Sequence, residues 1–109
     1  MNLFDLHCDT LYKSVTENFP LDDKSMQVSQ ILDEDVKRIQ CYAIWIPDDY
    51  TPEKAEQTFY SAYQKLTSEC KKLNIKLIEQ NESISAAFKN NKNSALFTIE
   101  NSTALNGKI

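Results

Sequence analysis

Short segments with the character of buried strands alternate along this chain with segments that have the periodicity of helices. The predicted strands are residues 3–8, 40–46, 75–78 and 95–100. Residues 40–46 form an almost continuous apolar run that ends before Pro47, which is typical of a strand buried on both faces of a parallel sheet. Alternation of strands with helices favours parallel βα units. We therefore predict an α/β fold built on an open parallel sheet.

The expected order of the strands follows from the connections between them. Right-handed crossovers would place the first strand beside residues 40–46, and residues 40–46 beside the strand that ends at Glu100. The sequence leaves open whether residues 75–78 join this sheet or lie beside it.

Residues 52–73 carry the strongest helix signal. Thr51 supplies an N-cap hydroxyl, Pro52 suits the first helical position, and Glu53 suits the first turn. Apolar residues recur along one side of this segment at steps of four and three: Phe59, Tyr63, Leu66, Cys70 and Leu73. Such a row could be a ligand platform, but we interpret it as core packing. Shorter helices are predicted at residues 31–39 and 82–89, and residues 10–18 fit either a helical turn or an irregular loop.

The length and composition are those of one globular domain. The chain has 109 residues, of which 41% are hydrophobic and 26% are charged. Disordered chains have fewer apolar residues and a larger net charge, so we expect residues 1–109 to form part of one packed domain. Gly107 is the only glycine, and the turns must therefore rely on Asn, Asp and Pro.

The charge and the distribution of apolar residues limit the partners. A net charge of -4 argues against nucleic acid, which is bound largely through clustered Lys and Arg. No apolar run is long enough to span a bilayer, and no signal peptide is recognisable, so we predict no membrane segment and a cytoplasmic location. Cys8, Cys41 and Cys70 are widely spaced without a C-x-x-C pair, which predicts free, mostly buried thiols.

Candidate metal ligands occur where two predicted strands end. His7 and Asp9 lie two residues apart, and strict alternation would place them on one face of the first strand together with Leu3 and Asp5. Imidazole and carboxylate are both zinc ligands, although an imidazole beside a carboxylate is more often a simple hydrogen-bonded pair. Glu100 ends another apolar strand, where it either emerges into solvent or joins a site at the rim of the sheet.

Three segments resemble signatures of the membrane (renal) dipeptidase family of zinc metallopeptidases. Residues 4–11 (FDLHCDTL) look like its first strand, whose His-x-Asp pair binds the first zinc. Residues 40–47 (QCYAIWIP) are similar to its second strand. Residues 98–105 (TIENSTAL) resemble its third signature, usually Glu-Gly-Gly or Glu-Asn-Gly followed by Ala-Leu, in which the glutamate bridges two metals. The three segments occur in the family's order and span nearly the whole chain.

The resemblance implies a fold, an activity and a set of ligands. It predicts the first parallel βα units of a partial TIM (β/α)8 barrel, and the hydrolysis of dipeptides by water activated between two zinc ions. His7 and Asp9 would bind the first zinc, and Glu100 would bridge it to the second. In Asn101 and Ser102 the chain departs from the glycine-rich turn of the family, which predicts a backbone less able to approach the metal.

The histidine count limits what this chain could do alone. The family's second zinc takes two further histidines from later strands, and His7 is the only histidine here. A full barrel takes about 250 residues. We therefore expect no useful peptidase activity from this chain alone, and association with a complementing remainder of the barrel or with itself.

Two other interpretations stay open. One is a truncated, non-catalytic remnant that persists as an interaction module or has no function. The other is a different metal-dependent amidohydrolase that shares the His-x-Asp pair.

Overall fold

The computed structural model describes residues 2–21, 36–79 and 83–105, apart from the side chain of Ala104. The protein is an α/β structure with one parallel sheet of four strands. Its elements in chain order are β1 (Asn2–Cys8), α1 (Thr10–Glu17), β2 (Lys37–Ile44), α2 (Pro52–Leu73), β3 (Lys76–Leu77), α3 (Ile84–Asn90), β4 (Asn93–Ile99) and a short 3-10 helix (Ser102–Leu105).

The strands lie in the order β1, β2, β4, β3, and all neighbouring pairs are parallel. The predicted placement of the second strand between the first and the one ending at Glu100 is therefore confirmed. The question left open for residues 75–78 is answered by β3, which joins the sheet. It pairs only with the beginning of β4, where Lys76 aligns with Ser94 and Leu77 with Ala95.

Strand β2 is buried along almost its whole length because both of its neighbours are strands and both of its faces are covered. The larger core cluster lies on one face, where Tyr42 and Ile44 pack among residues of α1 and α2. A smaller cluster on the other face joins Ile39 and Leu96 to Ala87 of α3. Helix α3 thus covers the beginning of this second face.

Helix α2 has the bounds predicted from its sequence. The Thr51 side chain accepts a hydrogen bond from the Lys54 amide at 3.3 Å, and Pro52 occupies the first position. The helix ends at Asn74 in the left-handed conformation with φ 55°, and Asn18 ends α1 in the same way with φ 56°. Asparagine therefore takes the role that glycine usually fills at helix ends, as the composition predicts.

The row of apolar residues on α2 is core packing, as predicted, with one residue at its margin. Leu66 and Cys70 are buried, and Phe59 and Leu73 pack against the core from partly buried positions. Tyr63 is 36% exposed; its ring contacts Phe97 and its hydroxyl donates to Glu79.

The predicted helix at residues 31–39 is wrong at its end, because Lys37–Ile44 form β2. Residues 31–35 lie outside the described part of the chain. Arg38 can lie in a buried strand because its guanidinium has partners there. It donates to the Gln40 side chain and lies 3.7 Å from the Asp5 carboxylate on β1. Gln40 lies two residues along the same strand, whereas Asp5 is brought close by the pairing of β1 with β2.

The other short elements differ little from prediction. Residues 10–18, which fit a helix or a loop, form α1. The helix predicted at 82–89 is α3, which begins after Ser83, whose hydroxyl accepts from the Ala86 amide at 3.0 Å. Glu82 lies outside the described residues. Strand β2 ends at Ile44, two residues before the predicted end, and β4 begins at Asn93, two residues before the predicted start.

A bulge in β1 breaks the strict alternation expected there. Asp5 aligns with Gln40 and Cys8 aligns with Tyr42, so three residues of β1 advance against two of β2. Aligned residues point to the same side of a sheet, which places Asp5 and Cys8 on one face. The prediction that Asp5 shares a face with His7 is therefore wrong, because the extra residue turns Cys8 into the core and His7 to the other side.

Candidate metal centre

The side chains of His7, Asp9 and Glu100 meet at one end of the sheet. The His7 Nε2 atom lies 3.0 Å from Asp9 Oδ1 and 3.7 Å from Glu100 Oε2. One ligand atom from each of the three residues lies within 4.8 Å of the ligand atoms of the other two. Within the ranges that the structure describes, this is the one group of three His, Cys, Asp or Glu residues with such spacing.

The strand order brings these residues together from distant parts of the sequence. His7 is near the end of β1, Asp9 directly follows it, and Glu100 directly follows β4. Because β2 separates the two strands, the side chains must reach across its end. On β2 the same face carries Ala43, which aligns with Thr98 of β4 and has a short side chain. The carboxyl ends of parallel strands are the usual place for a binding site.

Asp9 occupies the N-cap position of α1 without capping it. Its side chain makes no hydrogen bond to the helix amides, although aspartate is among the residues that favour this role. The carboxylate instead faces the His7 ring. Asp9 therefore gives up a local stabilising contact for one with the imidazole.

The group has the chemistry of a site for a divalent cation. It combines one imidazole with two carboxylates, and the side chains are 50%, 71% and 44% exposed for His7, Asp9 and Glu100. Ligand atoms around a tetrahedral zinc ion lie about 3.4 Å apart, and the two distances from Nε2 fall on either side of that value. The residues fit a metal ion, although the contact between His7 and Asp9 is also a hydrogen bond that needs none.

Asn101 fixes the turn after Glu100, a role that the sequence did not suggest. Its side-chain oxygen accepts from the Ile46 amide at 3.1 Å, and its amide nitrogen donates to the Ile46 carbonyl at 2.7 Å. Thr103 donates to Asp48 at 2.6 Å and so joins the same two segments. The only clue in the sequence was the Glu-Asn pair at the end of a strand.

The turn after Glu100 does not use the conformation that favours glycine. In the described part of the chain, Asn18 and Asn74 are the non-glycine residues with positive φ. The absence of glycine from positions 101 and 102 therefore places no strain on this turn. The replacement of glycine at these positions was expected to hinder the approach of the backbone to a metal. No requirement for positive φ at these positions causes such a hindrance.

The three cysteines are free and buried, as predicted. Burial raises the pKa of the Cys8 and Cys41 thiols, and burial together with the nearby Glu69 carboxylate raises the pKa of Cys70 to about 11. At neutral pH all three stay protonated, and a protonated thiol is a poor metal ligand. The candidate centre is thus made of nitrogen and oxygen donors.

Comparisons with other proteins do not assign this chain to a family. The sequence matches none of the protein-family models searched, and it matches no curated protein. The dipeptidase resemblance therefore stays a prediction. Among the described helices, none is both long enough and apolar enough to cross a membrane.

Proposed function

We propose that this chain is the amino-terminal part of a zinc-dependent dipeptidase of the membrane dipeptidase type. The observation that carries this proposal is the convergence of the His7, Asp9 and Glu100 donor atoms at the ends of two parallel strands. His7 and Asp9 would bind the first metal, and Glu100 would bridge it to a second. A dipeptide is the proposed substrate, and the cytoplasm the proposed location.

The sheet has features that suit the beginning of a (β/α)8 barrel. Strands β1, β2 and β4 are consecutive neighbours and parallel, and the candidate site lies at their carboxyl ends, where such barrels carry their active sites. Strand β3 covers only the beginning of the outer edge of β4. Residues 96–99 would then be free to pair with the following strand of a barrel, and α3 would close the opposite end of its interior.

The residues of the site would hold and orient the metal. The Nε2 atom of His7 faces both carboxylates, so a bound cation would take the place of the proton that Nε2 and Asp9 share. The two carboxylates would supply the negative charge that balances a divalent cation. When bound, zinc polarises a scissile carbonyl and lowers the pKa of water. The partial exposure of all three side chains leaves an open side from which a dipeptide could approach.

The single histidine sets the expected stoichiometry. Because the second metal of the family takes two further histidines, we expect one tightly held ion per chain and no useful peptidase activity from this chain alone. The remaining ligands would come from a complementing part of the barrel. The rival class, a non-catalytic interaction module, predicts no specific zinc binding.

Equilibrium dialysis with zinc, followed by elemental analysis, tests the proposal. One ion per chain is expected, and His7→Ala and Glu100→Gln should each weaken binding by roughly ten- to a hundredfold. Glu17→Gln is the matched control, because Glu17 is an exposed carboxylate at the end of α1. Two tightly held ions, or binding that ignores both site substitutions, would contradict the proposed centre.

A further inference from the structure

The end of β4 is attached to the end of β2 by a continuous series of hydrogen bonds. The Glu100 amide donates to the Ile44 carbonyl at 3.0 Å, as the next step of the strand ladder. The Asn101 side chain then bonds to both the amide and the carbonyl of Ile46. An asparagine amide therefore replaces a backbone peptide group at the point where the ladder would otherwise stop.

Ile46 is a firm anchor for this contact. Its side chain is fully buried in the larger core cluster together with Tyr42 and Ile44. A buried side chain among close-packed neighbours has little freedom to shift, so its backbone groups are held in place. Asn101 thereby ties the turn after β4 to the hydrophobic core.

A second contact reinforces the first. The Thr103 hydroxyl donates to Asp48 Oδ1, and Asn101 Nδ2 lies 3.4 Å from the same oxygen. Asp48 belongs to the connection between β2 and α2. The connection after β2 and the turn after β4 are thus held together at two points.

The chemistry of this contact is specific to an asparagine. The side-chain amide offers one acceptor and one donor at the spacing of a peptide group, so it can satisfy both backbone groups of a single residue. Aspartate can accept from the Ile46 amide but cannot donate to its carbonyl. Alanine can do neither, and would leave two partly buried backbone groups without these partners.

We propose that Asn101 is a positioning residue that fixes the backbone on which Glu100 stands, and so holds the Glu100 carboxylate against His7. Glu100 lies between two fixed points, its own amide on Ile44 and the adjacent Asn101 side chain on Ile46. The importance of this role for metal binding rests on the proposed zinc site. The geometric role, which is to set the distance between Glu100 and His7, does not depend on a zinc site.

A double-mutant cycle between Asn101→Ala and Glu100→Gln tests the inference on the full chain. Zinc affinity is measured by competition with a chelator, and the thermal midpoint of each metal-free variant is measured alongside. Asn101→Ala should weaken zinc binding by roughly tenfold or more in the otherwise unchanged chain, and have little effect when Glu100 is already glutamine. Asn91→Ala is the matched control, because the Asn91 side chain also donates to a backbone carbonyl, that of Ala87, but lies before the start of β4.

A second measurement needs no metal. His7 is the only histidine, so its ring gives a single set of NMR signals, and Glu100 Oε2 lies 3.7 Å from its Nε2 atom. At a fixed pH, Asn101→Ala should move these signals toward their positions in Glu100→Gln. If Asn101→Ala does not fold, Asn101→Asp keeps the side-chain size and should move the signals in the same direction.

The outcomes separate the two proposals. Ring signals that follow the expected pattern in a chain that binds no zinc would support the positioning role and refute the metal centre. Zinc binding that is normal in wild type and unchanged in Asn101→Ala would overturn the positioning role alone. An equal loss of affinity with and without Glu100 would also overturn it, because Asn101 would then act on overall stability.

Discussion

At the scale of single residues, Asp9 shows how a tertiary contact overrides a local preference. Aspartate at a helix N-cap normally accepts from the first amides and contributes about 1 kcal/mol. Here the carboxylate lies 3.0 Å from the His7 ring and leaves those amides without it. The Asp9 side chain therefore contributes to the candidate centre and not to the start of α1.

The raised pKa of Cys70 makes stability depend on pH in alkaline solution. Burial and the Glu69 carboxylate raise this pKa to about 11, whereas the unfolded thiol ionises near pH 9. Between these values the unfolded state loses a proton that the folded state keeps, so stability falls as the pH rises. One pKa unit corresponds to about 1.4 kcal/mol, which gives a loss of about 2 to 3 kcal/mol across this range.

Urea unfolding between pH 8 and 11 measures this dependence. Cys70→Ala removes the thiol, so its stability should decline less over the same range than that of the unchanged chain. Tyr42 and Cys8 also have a raised pKa and contribute to the decline in both proteins. Parallel curves for the two proteins would show that Cys70 does not titrate differently on unfolding.

The candidate ligands could be predicted from residue type and position, whereas their supports could not. His7, Asp9 and Glu100 each follow or end an apolar segment, and parallel strands end at one edge, so their proximity follows from the pattern. The role of Asn101 depends on Ile46, which lies far away in the sequence. No local rule connects the two.

At the scale of the elements, the start of α2 is held by its cap. Thr51→Ala removes the acceptor for the Lys54 amide and should lower the free energy of unfolding by about 1 kcal/mol. Ser61→Ala is the control, because Ser61 is an exposed residue within the same helix. Its effect should stay within about 0.5 kcal/mol.

Urea titration of both variants measures these changes in the free energy of unfolding. If Thr51→Ala unfolds at the same urea concentration as Ser61→Ala, Pro52 and the core contacts alone set the start of the helix.

Long elements with strong signals were predictable, and element boundaries set by other strands were not. Helix α2 combines a cap, a proline and an apolar row over many turns, and its bounds match the sequence pattern. The beginning of β2 contains Arg38, which local rules would not place in a buried strand. Its partner Gln40 lies on the same strand, but its other partner, Asp5, is brought close only by the pairing with β1.

At the scale of the whole molecule, β1 is an open edge. Among the described residues no strand pairs with its outer side, and Leu6 on it is 70% exposed. Unpaired edges with apolar side chains favour association with another chain. We expect Leu6→Lys to weaken self-association by roughly tenfold or more, because a buried leucine contributes about 1.5 to 3 kcal/mol.

Sedimentation velocity over a range of protein concentrations measures this effect. Tyr60→Lys is the control, because Tyr60 is also an exposed apolar residue but lies on α2, away from the edge. Equal association of both variants and the unchanged chain would exclude β1 as the contact surface.

The origin of the three donor residues has a consequence for biosynthesis. His7 and Asp9 leave the ribosome early, and Glu100 follows only after almost all of the described chain has been made. A cation that needs all three cannot be captured by a nascent chain that still lacks β4, and it binds only once the sheet has assembled. At the proposed centre, metal occupancy would therefore act as a record of completed assembly, and metal binding would pull newly made chains toward the native state by mass action.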